Sequence, residues 1–238
     1  LYDGHPQTGA SMSLPILSAV LFDLDGTLID TAPDFIAVLN RQRLAHGREP
    51  LAENDIRARV SQGSKAVVAL GFGDQFAIES DEFEQIRQEF LRSYLQHLAD
   101  NSRLFPHLDE LLNFLESRQI AWGVVTNKPS LYTLPLLKAL ELDQRCKVVI
   151  CPDMVTHTKP HPEPMLKAAK ALHINPQDCI YVGDHRRDIE AGHNAEMTTV
   201  AVGYGYLLPD DNPHDWNAHH TVTTTDELLA LFRHTLIQ

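Results

Sequence analysis

The segment Phe22-Asp23-Leu24-Asp25-Gly26-Thr27 places two carboxylates two residues apart at the end of a short apolar run. Side chains alternate along a strand, so Asp23 and Asp25 tend to one side, and Gly26 frees the chain to turn. Alone, this pattern reads as a solvated acidic turn. Three further segments change that reading: Thr126 and Asn127 after Trp122-Gly123-Val124-Val125, Lys159 in THTKPHPEP, and Asp184 with Asp188 in YVGDHRRD. Together they supply what phosphoryl transfer requires. A carboxylate attacks phosphorus, further oxygens hold Mg²⁺ against the phosphate, and a lysine with hydroxyl and amide donors stabilises the transferring oxygens. Singly, Thr126 reads as strand-forming, Lys159 as a solvated cation and Asp184 as a helix N-cap; their joint occurrence favours a site.

Such residues are far apart in the chain, so the fold must gather them. The strand AVLF from Ala19 is followed by β-rich runs at Ile120 to Thr126, Lys147 to Cys151, Cys179 to Val182 and Thr198 to Val202. Helical patterns at Leu108 to Ser117, Leu131 to Leu140, Pro164 to Leu172, Asp188 to Asn194 and Asp226 to Leu236 lie between or after them. This alternation predicts an α/β fold with a doubly wound parallel sheet, whose strand carboxyl ends form one crevice. Pro33 to about Asn101 breaks the alternation with amphipathic helix patterns, FIAVLNRQRLA, SKAVVAL and FEQIRQEFLRSYLQHL, and no convincing strand. Pro33 suits a first helical turn, Gly47 and Pro50 stop that helix, and Gly71 with Gly73 interrupt the middle. An insert of about 70 residues must lie outside the sheet, as a second small domain or cap.

Composition bounds the function. The 238 residues, 43% hydrophobic and 22% charged, suit a globular protein, and no apolar run approaches the roughly 20 residues of a membrane span. A formal net charge of −12 without a basic run argues against nucleic acid or an anionic membrane as partner. It does not exclude an anionic substrate, because screening confines the global field to about 8 Å. Cys146, Cys151 and Cys179 lack CxxC or zinc spacing and are expected as reduced thiols of a cytoplasmic protein. Residues 1–11, polar and without periodicity, are read as a leader foreign to the native chain, with Met12 as its start.

The four segments, in order DLDGT, Thr126, Lys159 and Gly183 to Asp188, resemble the motifs of the haloacid dehalogenase superfamily of phosphatases. The resemblance runs from Ala19 to the C terminus and implies a Rossmann-like core of residues 12–32 and 102–238 with a C1-type helical cap at 33–101. It implies Asp23 as nucleophile and Asp25 as general acid/base, with Thr126 and Lys159 assisting. Mg²⁺ would be held by Asp184, Asp23 and the Asp25 carbonyl, with Asp188 and Asn127 in support. Segments such as TAPDFI, WGVVTNKP, ICPD, KPHPEP and GYGY followed by DDNPHDW are similar to a bacterial branch near the phosphoglycolate phosphatases. The implied substrate is a small phosphate ester, N-acetylmuramic acid 6-phosphate of cell-wall recycling or 2-phosphoglycolate.

His185 departs from the family pattern, where a small or acidic residue usually follows the metal aspartate. A neutral imidazole would bond a metal-bound water, whereas an imidazolium would compete for its ligands. The other histidines, including His219 and His220, are expected at the surface. In the insert, Gly63 of the QGSK turn permits close approach and Ser64 or Lys65 can reach a substrate oxygen, unless the turn is merely a helix start. Tyr206, Asn212 and Trp216 in the tail suggest no chemistry, and Trp216 reads as packing. Three alternatives frame the reading: a dehalogenase needs neither Asp25 nor a metal, a phosphomutase shares the site and differs in its acceptor, and a phospho-accepting signalling module needs neither acid/base nor cap. The sequence carries no signal of oligomeric state.

Overall fold

A computed structural model describes residues 17–236; the leader reading of residues 1–11 and Met12 lies outside them. The strands are β1 (Ala19–Phe22), β2 (Ile29–Asp30), β3 (Arg103–Leu104), β4 (Ala121–Val125), β5 (Val149–Ile150), β6 (Cys179–Gly183), β7 (Thr198–Val202) and β8 (His220–Val222). The helices are α1 (Ala32–Ala45), α2 (Glu53–Arg57), α3 (Ser64–Phe72), α4 (Asp81–Gln96), α5 (Leu108–Ser117), α6 (Ser130–Ala139), α7 (Glu163–Leu172), α8 (Arg186–Asn194) and α9 (Thr225–Leu231).

Six strands form one parallel sheet in the order β5-β4-β1-β6-β7-β8. The continuous apolar runs are explained by burial on both faces. Val20 and Phe22 pack with Leu111 and Leu115 of α5 and Leu228 of α9, while Ala19 and Leu21 pack with Ala168 of α7 and Ala191 of α8. The expected doubly wound α/β sheet is therefore present, with an added edge strand, β8, whose short HTV stretch gave no strand pattern.

The chain runs outward from β1 through β4 to β5 on one side, then crosses back to β6 on the other, so the carboxyl end of β1 is a topological switch point where a crevice opens. Helices α1–α4 all lie between β2 and β3, which pair antiparallel where the chain leaves and re-enters the core. The buried Asp34 carboxylate closes this junction by accepting the backbone amides of Asn101 and Ser102 at 2.8 and 2.9 Å and the Ser102 hydroxyl at 2.6 Å. One local expectation fails. Gly71 lies inside α3, where its bare Cα lets Leu39 approach, and only Gly73 ends that helix. The two-residue strands β2 and β3 are too short to show an alternation.

α4 positions much of the crevice wall. Ser80 caps it by accepting the Phe83 amide at 3.1 Å, and Asp81, Glu82 and Glu84 face the positive end of the helix dipole. Phe83, Ile86, Phe90 and Tyr94 recur at helical spacing and are buried, anchoring the helix.

Candidate active site

Asp23 and Thr126 follow the last residues of β1 and β4, Asp184 follows β6, and Lys159 lies in the loop before α7. These sequence-predicted residues converge at the carboxyl edge of the sheet. Lys159 is buried, with its ammonium 2.8 Å from Asp23 Oδ1, 2.7 Å from Asp188 Oδ1, 2.9 Å from the Tyr181 hydroxyl and 3.1 Å from the Val125 carbonyl. Burial opposes its charge, yet Asp188 and Asp23 outweigh that and hold its pKa above the ordinary lysine value. Asn127 fixes the same loop by exchanging hydrogen bonds with the Lys159 backbone, at 3.2 and 3.3 Å. The Thr126 hydroxyl accepts the Lys128 amide at 3.0 Å.

Asp25 is held through one oxygen. Its Oδ1 accepts the Thr31 hydroxyl at 2.5 Å and the Lys128 ammonium at 2.9 Å, and among the described residues Oδ2 has no hydrogen-bond partner. Lys128 was not singled out in the sequence, although it directly follows Thr126 and Asn127. It is 8% exposed, donates to the Tyr94 hydroxyl at 2.8 Å and lies over the Phe35 and Tyr94 rings. The insert thereby reaches the second carboxylate of the DxD pair.

Asp23, Asp184 and Asp188 offer carboxylate oxygens within 4.8 Å of one another. Burial first, then Asp23 and Asp188, raise the Asp184 pKa well above the carboxylate range, a repulsion that a hard cation on oxygen donors would relieve. Asp188 is also engaged by Lys159 and by the His185 amide at 3.1 Å. The Ser61 hydroxyl lies 2.7 Å from Asp184 Oδ2 and 3.4 Å from the Asp25 carbonyl, so those two oxygens flank one point. Gly26 (φ +81°) and Gly205 crowd the same carboxylate, and a Cβ on either would collide with Asp184.

His185 is the N-cap of α8, its Nδ1 accepting the Arg187 amide at 3.2 Å. Burial first, then Arg187, lower its pKa to about 4, which selects the neutral imidazole of the two forms considered. Tyr206 does have a role: its amide donates to Asp184 Oδ2 at 2.9 Å and its hydroxyl to Asp30 at 2.6 Å, joining the site to the insert junction. Asn212 caps a short turn, and Trp216 packs with Ile189 and Ala201. His157, His161 and Glu163 also group together, but Glu163 accepts the Thr156 and His157 amides and His161 Nδ1 accepts the Glu163 amide. Those hydrogen bonds brace the Lys159 loop.

Above this floor lies a cavity of about 560 Å³, walled by Gly63, Ser64, Lys65, Arg87, Leu91 and Tyr94 of the insert and by Leu131 and Tyr132 of α6. The QGSK turn therefore faces the same cavity as Asp23 and Asp25.

The profile of haloacid dehalogenase-like hydrolases matches residues 20–202, and the chain belongs to that family. It is 47% identical over 213 residues to N-acetylmuramic acid 6-phosphate phosphatase of Pseudomonas aeruginosa, covering 90% of this chain and 93% of that protein. It is 39% identical over 210 residues to phosphoglycolate phosphatase of Xanthomonas campestris pv. campestris, covering 88% and 94%. The crystal structure of a predicted phosphoglycolate phosphatase from Haemophilus somnus superposes with a TM-score of 0.81 at 25% identity, over 92% of this chain and all of that one.

Proposed function

We propose that the chain is a Mg²⁺-dependent phosphatase of a small phosphate monoester, N-acetylmuramic acid 6-phosphate or 2-phosphoglycolate, with residues 33–101 acting as a cap over the core. The observation that carries this reading is the meeting of Asp23, Asp25, Thr126 and Lys159 on the floor of one cavity covered by the insert. Asp184, Asp23 and the Asp25 carbonyl would hold Mg²⁺, which supplies positive charge to the phosphate oxygens when bound.

Asp23, with Oδ1 held by Lys159, attacks phosphorus through its other oxygen, and the phosphorus–alkoxide bond breaks. Asp25 gives its proton to the leaving oxygen from Oδ2, the atom that Thr31 and Lys128 leave free. Asp25 then takes a proton from water, which attacks the aspartyl-phosphate, releases phosphate and restores Asp23. Lys159 and Thr126 stabilise the transferring oxygens in both steps. The three thiols, all free, fit a reducing cytoplasmic setting.

A panel of phosphate esters assayed for phosphate release with Mg²⁺ tests the reading. One of the two named esters should exceed common hexose 6-phosphates in kcat/KM, and uniformly weak release would overturn a dedicated substrate. Transfer of labelled phosphate to a second sugar hydroxyl, rather than to water, would identify a mutase.

A further inference from the structure

We infer that Arg87 is a specificity residue that binds a carboxylate on the organic part of the substrate, and that the substrate is a hexose-sized phosphate ester rather than a two-carbon one. The inference rests on the phosphatase reading above and names its substrate class.

Three residues of α4 carry it. Arg87, Leu91 and Tyr94 are spaced by four and three positions and form one stripe facing the cavity. Tyr94 is the inner end of that stripe, since its hydroxyl accepts from Lys128, which is paired with Asp25. The helix rises by about 1.5 Å per residue, so Arg87 stands about 10 Å along the axis from Tyr94. With the phosphate held at Asp23, the carboxylate of a two-carbon ester lies close to that phosphate, whereas Arg87 enters the cavity about two helical turns further out along α4 than Tyr94. A pyranose with phosphate at one end and a carboxylate-bearing substituent on the far side spans the interval.

Arg87 is also prepared to bind. Its Nε donates to the Ser64 hydroxyl at 3.1 Å and its Nη1 to Glu84 at 2.9 and 3.0 Å, while among the described residues Nη2 has no hydrogen-bond partner. The Glu84 side chain is 51% exposed, so solvent screens that pair and leaves the guanidinium able to attract a second anion. The other wall cations are engaged or badly placed. Lys128 is taken by Asp25, Lys159 by Asp23 and Asp188, and Arg187 donates to the Ser61 carbonyl. Lys65 pairs with Glu79 at a site where both side chains are more than half exposed. Between Arg87 and the floor, Leu91, Leu131 and Tyr132 form an apolar wall suited to a ring face and an acetyl methyl. A planar guanidinium recognises carboxylate through paired hydrogen bonds, and a site built for such a group discriminates strongly against an analogue lacking it.

The test uses N-acetylmuramic acid 6-phosphate, N-acetylglucosamine 6-phosphate, which lacks the lactyl carboxylate, and 2-phosphoglycolate. The wild-type chain should favour the first over the second by at least about tenfold in kcat/KM. In Arg87→Gln that preference should shrink to within about threefold, mainly through a rise in KM for the carboxylate substrate. Arg87→Lys, which keeps the charge without the fork, should give an intermediate ratio. An unchanged ratio in Arg87→Gln, or a wild-type preference for 2-phosphoglycolate over both sugars, overturns the inference and leaves the phosphatase reading standing. No release from any of the three esters defeats the phosphatase reading itself.

Discussion

Ser61 of the helical insert places its hydroxyl 2.7 Å from Oδ2 of Asp184, a carboxylate at the end of β6, so the insert is bonded directly to the centre of the proposed metal site. Arg187 of α8 answers by donating to the Ser61 carbonyl. Removing one partner of a buried polar group costs about 1–3 kcal/mol. Ser61→Ala should therefore raise amide hydrogen exchange across residues 60–67 by about tenfold or more, while β7 and β8 keep their protection.

Asp23→Asn removes the attacking oxygen but keeps the shape of the side chain. Phosphate release should fall by at least about a thousandfold at every Mg²⁺ concentration. An active variant of verified sequence would refute the nucleophile assignment.

Lys128→Met strips Asp25 and Tyr94 of a shared partner in a site where the lysine side chain is 6% exposed. Removing one member of a buried pair leaves the other charge uncompensated, a cost of about 3 kcal/mol. A fall in melting temperature, together with a kcat reduced at least about tenfold, is expected. Equal kcat would show that Lys128 does not orient Asp25.

Gly205→Ala would drive a methyl group into Asp184 and the Gly26 carbonyl. Overpacking of this kind costs about 1–3 kcal/mol. Calorimetric titration should show weakened Mg²⁺ binding, since the displaced atoms include a proposed ligand.

His185 links stability to pH. Burial and Arg187 hold its pKa near 4, so between the ordinary value of 6.5 and about 4 the unfolded chain binds a proton that the fold excludes. Its contribution is full above pH 6.5 and is lost as pH falls through that window. His185→Asn keeps an acceptor for the Arg187 amide, so its melting temperature, measured with metal chelated, should decline less between pH 7 and pH 4.5 than that of the wild type.

The amino-acid sequence by itself determined the parallel core, the helical insert and the residues at strand ends. Apolar runs, helical periodicity and turn residues are local signals, and Asp23, Asp25, Thr126 and Asp184 inherit their meeting point from strand order, while Lys159 is brought there by the loop before α7. Even Lys128 was within reach, one residue beyond Asn127. Tertiary structure alone decided which insert residues face that meeting point. Ser61 and Asp184 are 123 positions apart, Lys128 and Asp25 are 103, and Tyr206 and Asp30 are 176. No periodicity extends across such separations. Ser61 looks like any turn serine, Arg87 like any exposed helix cation and Tyr206 like a packing aromatic until folding brings the insert over the sheet, because these partners are set by how two surfaces close rather than by either segment's own pattern.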